Sequence, residues 1–194
     1  MEVFNPFAYI FANKVITEDL SELKECKIFA SGREQQSKDD DYLAYHVLKN
    51  YKYSEQILLN YFNAFIKDNF DYDCDWEIGT SWITNLDKGQ RVHPHLHRNY
   101  LWSGVFYFDE YTPQSCPLQF RNPIYQTLPF MMGRTKSNTM TSDICVVPQH
   151  NLLILFPSWI MHYSDINQEA NRKSLAFNFK PKGGIGLADS TLFL

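Results

Sequence analysis

Three histidines alternate in the segment RVHPHLH, where His93, His95 and His97 stand two residues apart. In an extended chain, residues two apart point to one side, so the three imidazoles can line one face in a metal-ligand geometry. The same alternation also describes an ordinary solvent-facing edge, and Pro94 puts the segment at a sheet edge or at the beginning of a strand. A second segment, FPSWIMHYSDINQEANRKSLAFNFK, carries His162 behind an apolar run, with Arg172 and Ser174 following. Alone, a histidine such as His162 is more often a satisfied core or surface residue than a ligand. Paired with the first segment, it completes three ligands on one side of a metal with positions left open, which is what non-haem iron chemistry requires. A guanidinium just beyond supplies a two-pronged donor for a carboxylate that would be costly to bury unpaired.

These residues need strands to hold them. After Phe70 the chain turns into short runs of Trp, Ile, Val, Tyr and Phe separated by Gly, Pro, Asn and Asp, the texture of a sandwich or barrel. Strands are expected near 76–86, 92–97, 100–109, 118–120, 152–156, 162–166 and 173–180. Before that point, residues 17–23 suggest a short helix, with Glu18, Asp19 and Glu22 in its first turns. From Asp39 to Asp68 the pattern is that of one or two amphipathic helices: Asp39–Asp41 cap a segment through Leu48, and Leu58, Phe62, Phe65 and Ile66 recur at helical spacing. Residues 125–141 follow neither period and read as a long loop, a candidate cover for a site. Gly183, Gly184 and Gly186 mark a flexible or tightly turning exit.

Composition narrows the function classes. With 194 residues and 44% hydrophobic content the chain can close one sizeable core, and its 16% aromatic content favours pleated surfaces. The net charge of -4, without a basic block, disfavours binding to nucleic acid. Cys26, Cys74, Cys116 and Cys145 form no C-x-x-C pair and read as reduced thiols. No secretory signal is legible at the N-terminus, and the longest charge-free stretch is interrupted by Pro148 and Pro157; the expectation is a cytoplasmic protein with no membrane span. Strand edges and aromatics leave a homodimer open.

Taken in order, H-x-H, the SGVFYF run, L-x-L-F-P-S-W-x-x-H and R-x-S-x-A-F-N resemble the 2-oxoglutarate- and Fe(II)-dependent oxygenases, specifically a small branch common in bacteria and their phages. The resemblance spans roughly residues 76–181. It implies a mainly β fold, a double-stranded β-helix (jelly-roll, cupin-like) core with N-terminal helices packed on one sheet. The chain then divides into helical support over 1–70, the core over 71–181 and a tail over 182–194 of a single oxygenase domain. On this resemblance His95 is the first metal ligand, His97 stands where most of the superfamily has Asp or Glu, and His162 is the distal ligand. Arg172 matches the arginine that pairs with the distal carboxylate of 2-oxoglutarate, Ser174 the hydroxyl of the R-x-S pair, and Tyr107 a phenol against the same carboxylate. The implied cofactors are Fe(II) and 2-oxoglutarate. The implied activity is hydroxylation by O2 of a small-molecule or peptidyl substrate, coupled to oxidative decarboxylation of 2-oxoglutarate.

Other readings stand beside this one. Three-histidine iron sites also occur in dioxygenases that use no oxoacid, three histidines with an open position also suit zinc, and a jelly roll also serves as a silent binding or virion-associated module. Asp109 and Glu110 follow SGVFYF and are expected to face a turn. His93 is a candidate for the second layer around the metal. In SWITN, either Asn85 or Trp82 can face the barrel interior, but not both, because they lie on opposite faces of a strand. Asn178 either meets the cosubstrate or satisfies a backbone group. Gly104 interrupts a strand, as a close approach would require.

Overall fold

The computed structural model describes residues 2–4, 11–27, 44–70, 72, 74–123, 143–186, 189 and 191–193. Within them the chain is mainly β. In order, the elements are β1 (Glu2–Phe4), β2 (Phe11–Val15), a 3-10 helix (Ser21–Glu25), a second 3-10 helix (Val47–Asn50) and α1 (Lys52–Asn69). There follow β3 (Trp76–Leu86), β4 (Trp102–Tyr107), β5 (Leu118–Arg121), β6 (Asp143–Val146), β7 (Leu152–Pro157), β8 (His162–Ser164) and β9 (Arg172–Pro181). A short pair, β10 (Gly184–Ile185) and β11 (Leu192–Phe193), closes the chain. The six-stranded sheet runs β1-β2-β7-β4-β9-β3 and the three-stranded sheet β6-β5-β8, with every pairing inside them antiparallel.

The two faces of the large sheet carry different cores. On the inner face, Val105, Tyr107, Ile154 and Phe156 meet Leu118, Phe120 and Val146 of the small sheet, so the two sheets enclose a shared interior. This is the jelly-roll arrangement of the double-stranded β-helix. On the outer face, Trp76, Ile78, Phe106, Leu155, Phe177 and Phe179 pack against Leu58, Phe62, Phe65 and Ile66 of α1. Strands β4 and β7, covered on both faces, are buried at every position and read as continuous apolar runs. The helix presents the stripe its sequence spacing requires: Leu58, Phe62, Phe65 and Ile66 are its buried apolar residues, and the Phe62 ring stacks on Phe179 at 3.7 Å. No residue of α1 caps its own N-terminus. The Ser54 N–H donates instead to Glu22 Oε1 at 3.0 Å, so the first 3-10 helix satisfies an orphan donor of α1.

Several expectations shift in the folded chain. The short helix expected at 17–23 forms as the 3-10 helix Ser21–Glu25, and β6 was not legible in the sequence. The expected strand over 92–97 does not form; a single bridge, His95 with His162, replaces it. Pro94 has no N–H to donate and the chain bends there, which breaks the ladder. The Asp39–Asp41 cap and the loop over 125–141 lie outside the described residues. Gly104 permits a close approach, but of an aromatic ring: a Cβ there would lie 2.4 Å from the ring of Phe177. The Gly-rich exit turns tightly, with Gly183 and Gly186 at φ 81 and 99 before and after β10. All four cysteines are free thiols, and among the described residues no helix is long and apolar enough to cross a membrane.

Candidate active site

Alternation on β9 puts Arg172, Ser174, Ala176 and Asn178 on one face, and the registers with β3 and β4 turn that face into rows. One row holds Ser103, Asn178 and Thr80, the next Val105, Ala176 and Trp82. Thr84 pairs with Ser174 and Leu86 with Arg172 farther along. The rows exist because β3 slips register between Ile78 and Thr80. Trp76 and Ile78 belong to the outer core, whereas Trp82 and Thr84, also even-numbered, line the pocket on the inner face. A bulge of one residue inverts the parity of everything after it. The bulge settles the SWITN alternatives: Trp82 faces the pocket and Asn85, on the other face, does not line it. Asn85, a candidate for the interior and for the second layer around the metal, is thus turned away from the pocket.

The three histidines arrive from two directions. His162 sits at the start of β8, and the segment before β4 runs beside it through His95 N–H to His162 O at 3.1 Å and His162 N–H to His95 O at 3.0 Å. One turn of chain farther, His97 N–H donates to Ser158 O at 2.9 Å. One ligand-capable atom from each of His95, His97 and His162 lies within 4.8 Å of the others. The ring centroids are 4.2 Å apart for His95 and His162, and 5.0 and 5.1 Å for His97 with each of them. His95 Nδ1 lies 2.8 Å from His93 O, and His162 Nδ1 lies 3.0 Å from Ile160 O. In both, Nδ1–H donates to the carbonyl two residues back, which leaves Nε2 as a lone-pair donor for a metal. His93 therefore acts through its backbone carbonyl; its side chain is exposed and takes no part in the cluster.

Electrostatics suit a cation here. Burial, with His95 adding to it, lowers the His97 imidazole to about 4, and burial lowers His162 to about 3, so both rings are neutral near pH 7. Among the described residues the cluster holds no carboxylate. Asp109 and Glu110 lie at the far end of β4 toward His150, as their place in the sequence suggests.

At the other end of the pocket stands Arg172, 4% exposed. Its Nη1 donates to Ser174 Oγ at 3.2 Å, and its Nη2 donates to Tyr107 Oη at 3.0 Å and to Cys116 O at 3.2 Å. The Tyr107 ring also lies beneath the guanidinium carbon, 5.0 Å from centroid. Burial pushes the Tyr107 phenol up from its ordinary value, Arg172 pulling the other way, so all three acceptors are neutral. Nε is buried without a hydrogen-bond partner. Among the described residues no carboxylate lies within ion-pair distance of this guanidinium, an arrangement costly for a buried charge. Its surroundings fit an anionic ligand: each hydroxyl accepts from the guanidinium and keeps its own O–H to donate.

Trp82, Val105, Phe156, Ala176 and Leu118 wall the space between imidazoles and guanidinium. The Trp82 ring meets His97 at 5.5 Å and Phe156 meets His162 at 4.8 Å. Asn178 is buried in a polar chain and does not line the pocket: Ser103 Oγ donates to its Oδ1 at 2.7 Å, and its Nδ2 donates to Thr80 Oγ1 at 3.0 Å. Ser158 Oγ lies 2.7 Å from Ser103 Oγ and extends the chain. Sequence reading missed the Cys116 carbonyl, because a backbone acceptor carries no residue signature.

A family model described as "Putative 2OG-Fe(II) oxygenase" matches residues 80–178, half of the chain, and takes in the three histidines, Arg172 and Ser174. The chain belongs to the 2-oxoglutarate- and Fe(II)-dependent oxygenases. The family uses Fe(II) and 2-oxoglutarate, and its members are oxidoreductases. Among solved structures, this oxygenase is similar to a Pseudomonas putida prolyl-4-hydroxylase at 17% identity and TM-score 0.54, over 89% of this chain and 88% of that one. AviO1 from Streptomyces viridochromogenes Tue57 is similar at 12% identity and TM-score 0.50, over 94% and 91%. At such identities the likeness is one of fold. Against a 2OG-Fe(II) oxygenase-family oxidoreductase from Burkholderia pseudomallei, with 16% identity and TM-score 0.46, the match covers 60% of this chain and spans 50% of that one. No curated protein matches the chain.

Proposed function

We propose that this oxygenase is a hydroxylase that couples oxidative decarboxylation of 2-oxoglutarate to hydroxylation of a small-molecule or peptidyl substrate. In this reading His95, His97 and His162 hold Fe(II) through Nε2 of at least the first and last. Arg172, Ser174 and Tyr107 hold the distal carboxylate of the cosubstrate, and residues 1–70, 71–181 and 182–194 serve as support, core and tail of one domain. The observation that carries it is the buried Arg172, with no carboxylate partner among the described residues, in a pocket that three converging imidazoles also line. A dicarboxylic oxoacid bridges those two features: one end chelates a metal and the other meets a guanidinium.

When bound, the iron and 2-oxoglutarate supply the oxidising chemistry that inserts an oxygen atom of O2 into a substrate C–H bond. The chain's own residues do the rest. The Nδ1–H bonds of His95 and His162 fix which nitrogen faces the metal and hold each ring in its plane. Arg172 with the Tyr107 and Ser174 hydroxyls fixes the depth and orientation of the cosubstrate. Trp82, Val105, Phe156 and Ala176 exclude water from the space between.

Anaerobic reconstitution with Fe(II), followed by 2-oxoglutarate, tests the reading in the visible spectrum. The expected result is a charge-transfer band that appears with 2-oxoglutarate and is absent in Arg172→Ala. Among the described residues the histidine cluster has no carboxylate, which favours a second reading, a dioxygenase that uses no oxoacid; iron bound without such a band would support it. No bound iron would leave a catalytically silent jelly roll.

A further inference from the structure

We infer that Asn167 is a positioning residue for cosubstrate recognition: it holds the N–H of Cys116, whose carbonyl, one peptide on, sets the Arg172 guanidinium. The inference rests on the proposed role of Arg172 and names a residue that acts behind it.

Asn167 has no exposed surface, although it lies in a connection between two strands. A buried loop asparagine must have its amide satisfied, and this one uses both ends. Its Oδ1 accepts the Cys116 N–H at 3.3 Å. Its Nδ2 donates to Leu86 O at 2.8 Å and to Glu169 O at 2.6 Å. Its backbone joins as well: the Asn167 N–H donates to Gln90 O, and the Gly89 N–H donates to Asn167 O, both at 2.8 Å.

Two of these partners adjoin Arg172. Leu86 is its register partner on β3, and Cys116 supplies one of its three acceptors. The side chain of Asn167 thus spans from the last residue of β3 to the loop ahead of β5. That loop has no ladder hydrogen bond at Cys116 to hold its carbonyl in place, since β5 begins at Leu118. The loop is also tied by the Gln168 N–H to Gln114 O and by Thr112 and Ser115 to Glu169, so without the Asn167 amide the Cys116 residue, and with it the carbonyl, is held less firmly rather than freed. The guanidinium then loses one of the two acceptors of Nη2 as a fixed partner, while Tyr107 on the same nitrogen and Ser174 on Nη1 remain. A charged fork held by two contacts instead of three samples a wider range of orientations, and a bidentate carboxylate pair depends steeply on orientation. The histidine cluster is at the opposite end of the pocket and has no bond to Asn167, so metal binding is expected to be unaffected.

The test is an anaerobic titration of the Fe(II)-loaded protein with 2-oxoglutarate, read by the charge-transfer band and by calorimetry. Wild type and Arg172→Ala first test the role of Arg172; binding unchanged in Arg172→Ala removes the underlying reading and is seen before any Asn167 variant is made. Asn167→Ala is expected to weaken 2-oxoglutarate about tenfold with unchanged iron stoichiometry, and to raise KM for 2-oxoglutarate more than it lowers kcat. In an Arg172→Lys background, the same change should cost less than twofold, because its effect passes through the guanidinium. An undiminished affinity in Asn167→Ala, or an equal loss in both backgrounds, overturns the inference. Wild-type hydrogen exchange gives a reading independent of variant folding: 2-oxoglutarate should slow exchange of the Cys116 amide, and unchanged exchange there overturns the inference too.

Discussion

A metal site made of three imidazoles differs from one containing a carboxylate by one unit of charge at the metal. His95 and His162 are pre-set by Nδ1 bonds to carbonyls of their own segments, so each loses little freedom when it binds. In the proposed reading, replacing either with Ala removes one of three ligands; anaerobic metal analysis of His95→Ala and His162→Ala should find loss of stoichiometric iron. His97 is the position where a carboxylate is chemically acceptable. His97→Asp should retain iron, and total loss of iron in that variant would show that the pocket is built for three imidazoles. For Arg172, loss of the buried charge-assisted pair should weaken 2-oxoglutarate by about 2–5 kcal/mol, measured in the titration described above.

At the scale of elements, the central antiparallel pair β4 and β9 fixes where Tyr107, Ser174 and Arg172 meet. Glycine 104 is the tightest point of that pair. A Cβ there would fall 2.4 Å from the Phe177 ring, which is fully buried in the outer core and packs edge-on against Phe179. Glycine to alanine inside a strand usually stabilises, but here the added methyl overpacks the core, and Gly104→Ala should destabilise by about 1–3 kcal/mol. Gly79 makes a useful comparison. Its Cβ would fall 2.6 Å from Tyr100, a ring that is half-buried and can swing outward. Urea unfolding should therefore show a distinctly smaller loss for Gly79→Ala than for Gly104→Ala.

For the whole molecule, two layers of core have separate tasks. The outer core between α1 and the large sheet supplies stability, and the inner one surrounds the pocket. Phe62→Ala removes a ring stacked on Phe179 and edge-on to Trp76 and Trp102, and should cost about 3–5 kcal/mol in denaturant unfolding. Iron stoichiometry in the folded fraction should not change. The buried imidazoles also give the iron-free protein a pH dependence. His97 and His162 titrate at about 4 and about 3 when folded, below the ordinary histidine value near 6.5, so between roughly pH 6.5 and 4 the unfolded chain binds more protons. Stability of the iron-free protein should therefore fall as pH drops through that window. Thermal melts should show a shallower slope for His162→Asn, which lacks one of the two rings.

Much of this was legible in the residues themselves. Runs of β-branched and aromatic residues between turn residues marked the strands around 76–86, 118–120, 152–156 and 173–180, because such side chains fit a pleated, buried surface and Gly, Pro, Asn and Asp break it. The helix stripe at Leu58, Phe62, Phe65 and Ile66 followed from the 3.6-residue period in the same way. Histidine, arginine and serine announced the site because few other side chains can ligate a metal or pair with a carboxylate. Where a side chain points was another matter. The alternation in RVHPHLH put His93 with His95 and His97, but the bend at Pro94 turned His93 to solvent. The bulge between Ile78 and Thr80 brought Trp82, not Asn85, into the pocket. A bulge or a bend is a property of backbone pairing between distant segments and leaves no unique residue signature. The same holds for the Cys116 carbonyl and for Asn167, whose partners lie 51 and 81 residues away along the chain. The chemistry of this oxygenase was written in its residue types; the orientation that makes them a site was decided only by long-range pairing of strands.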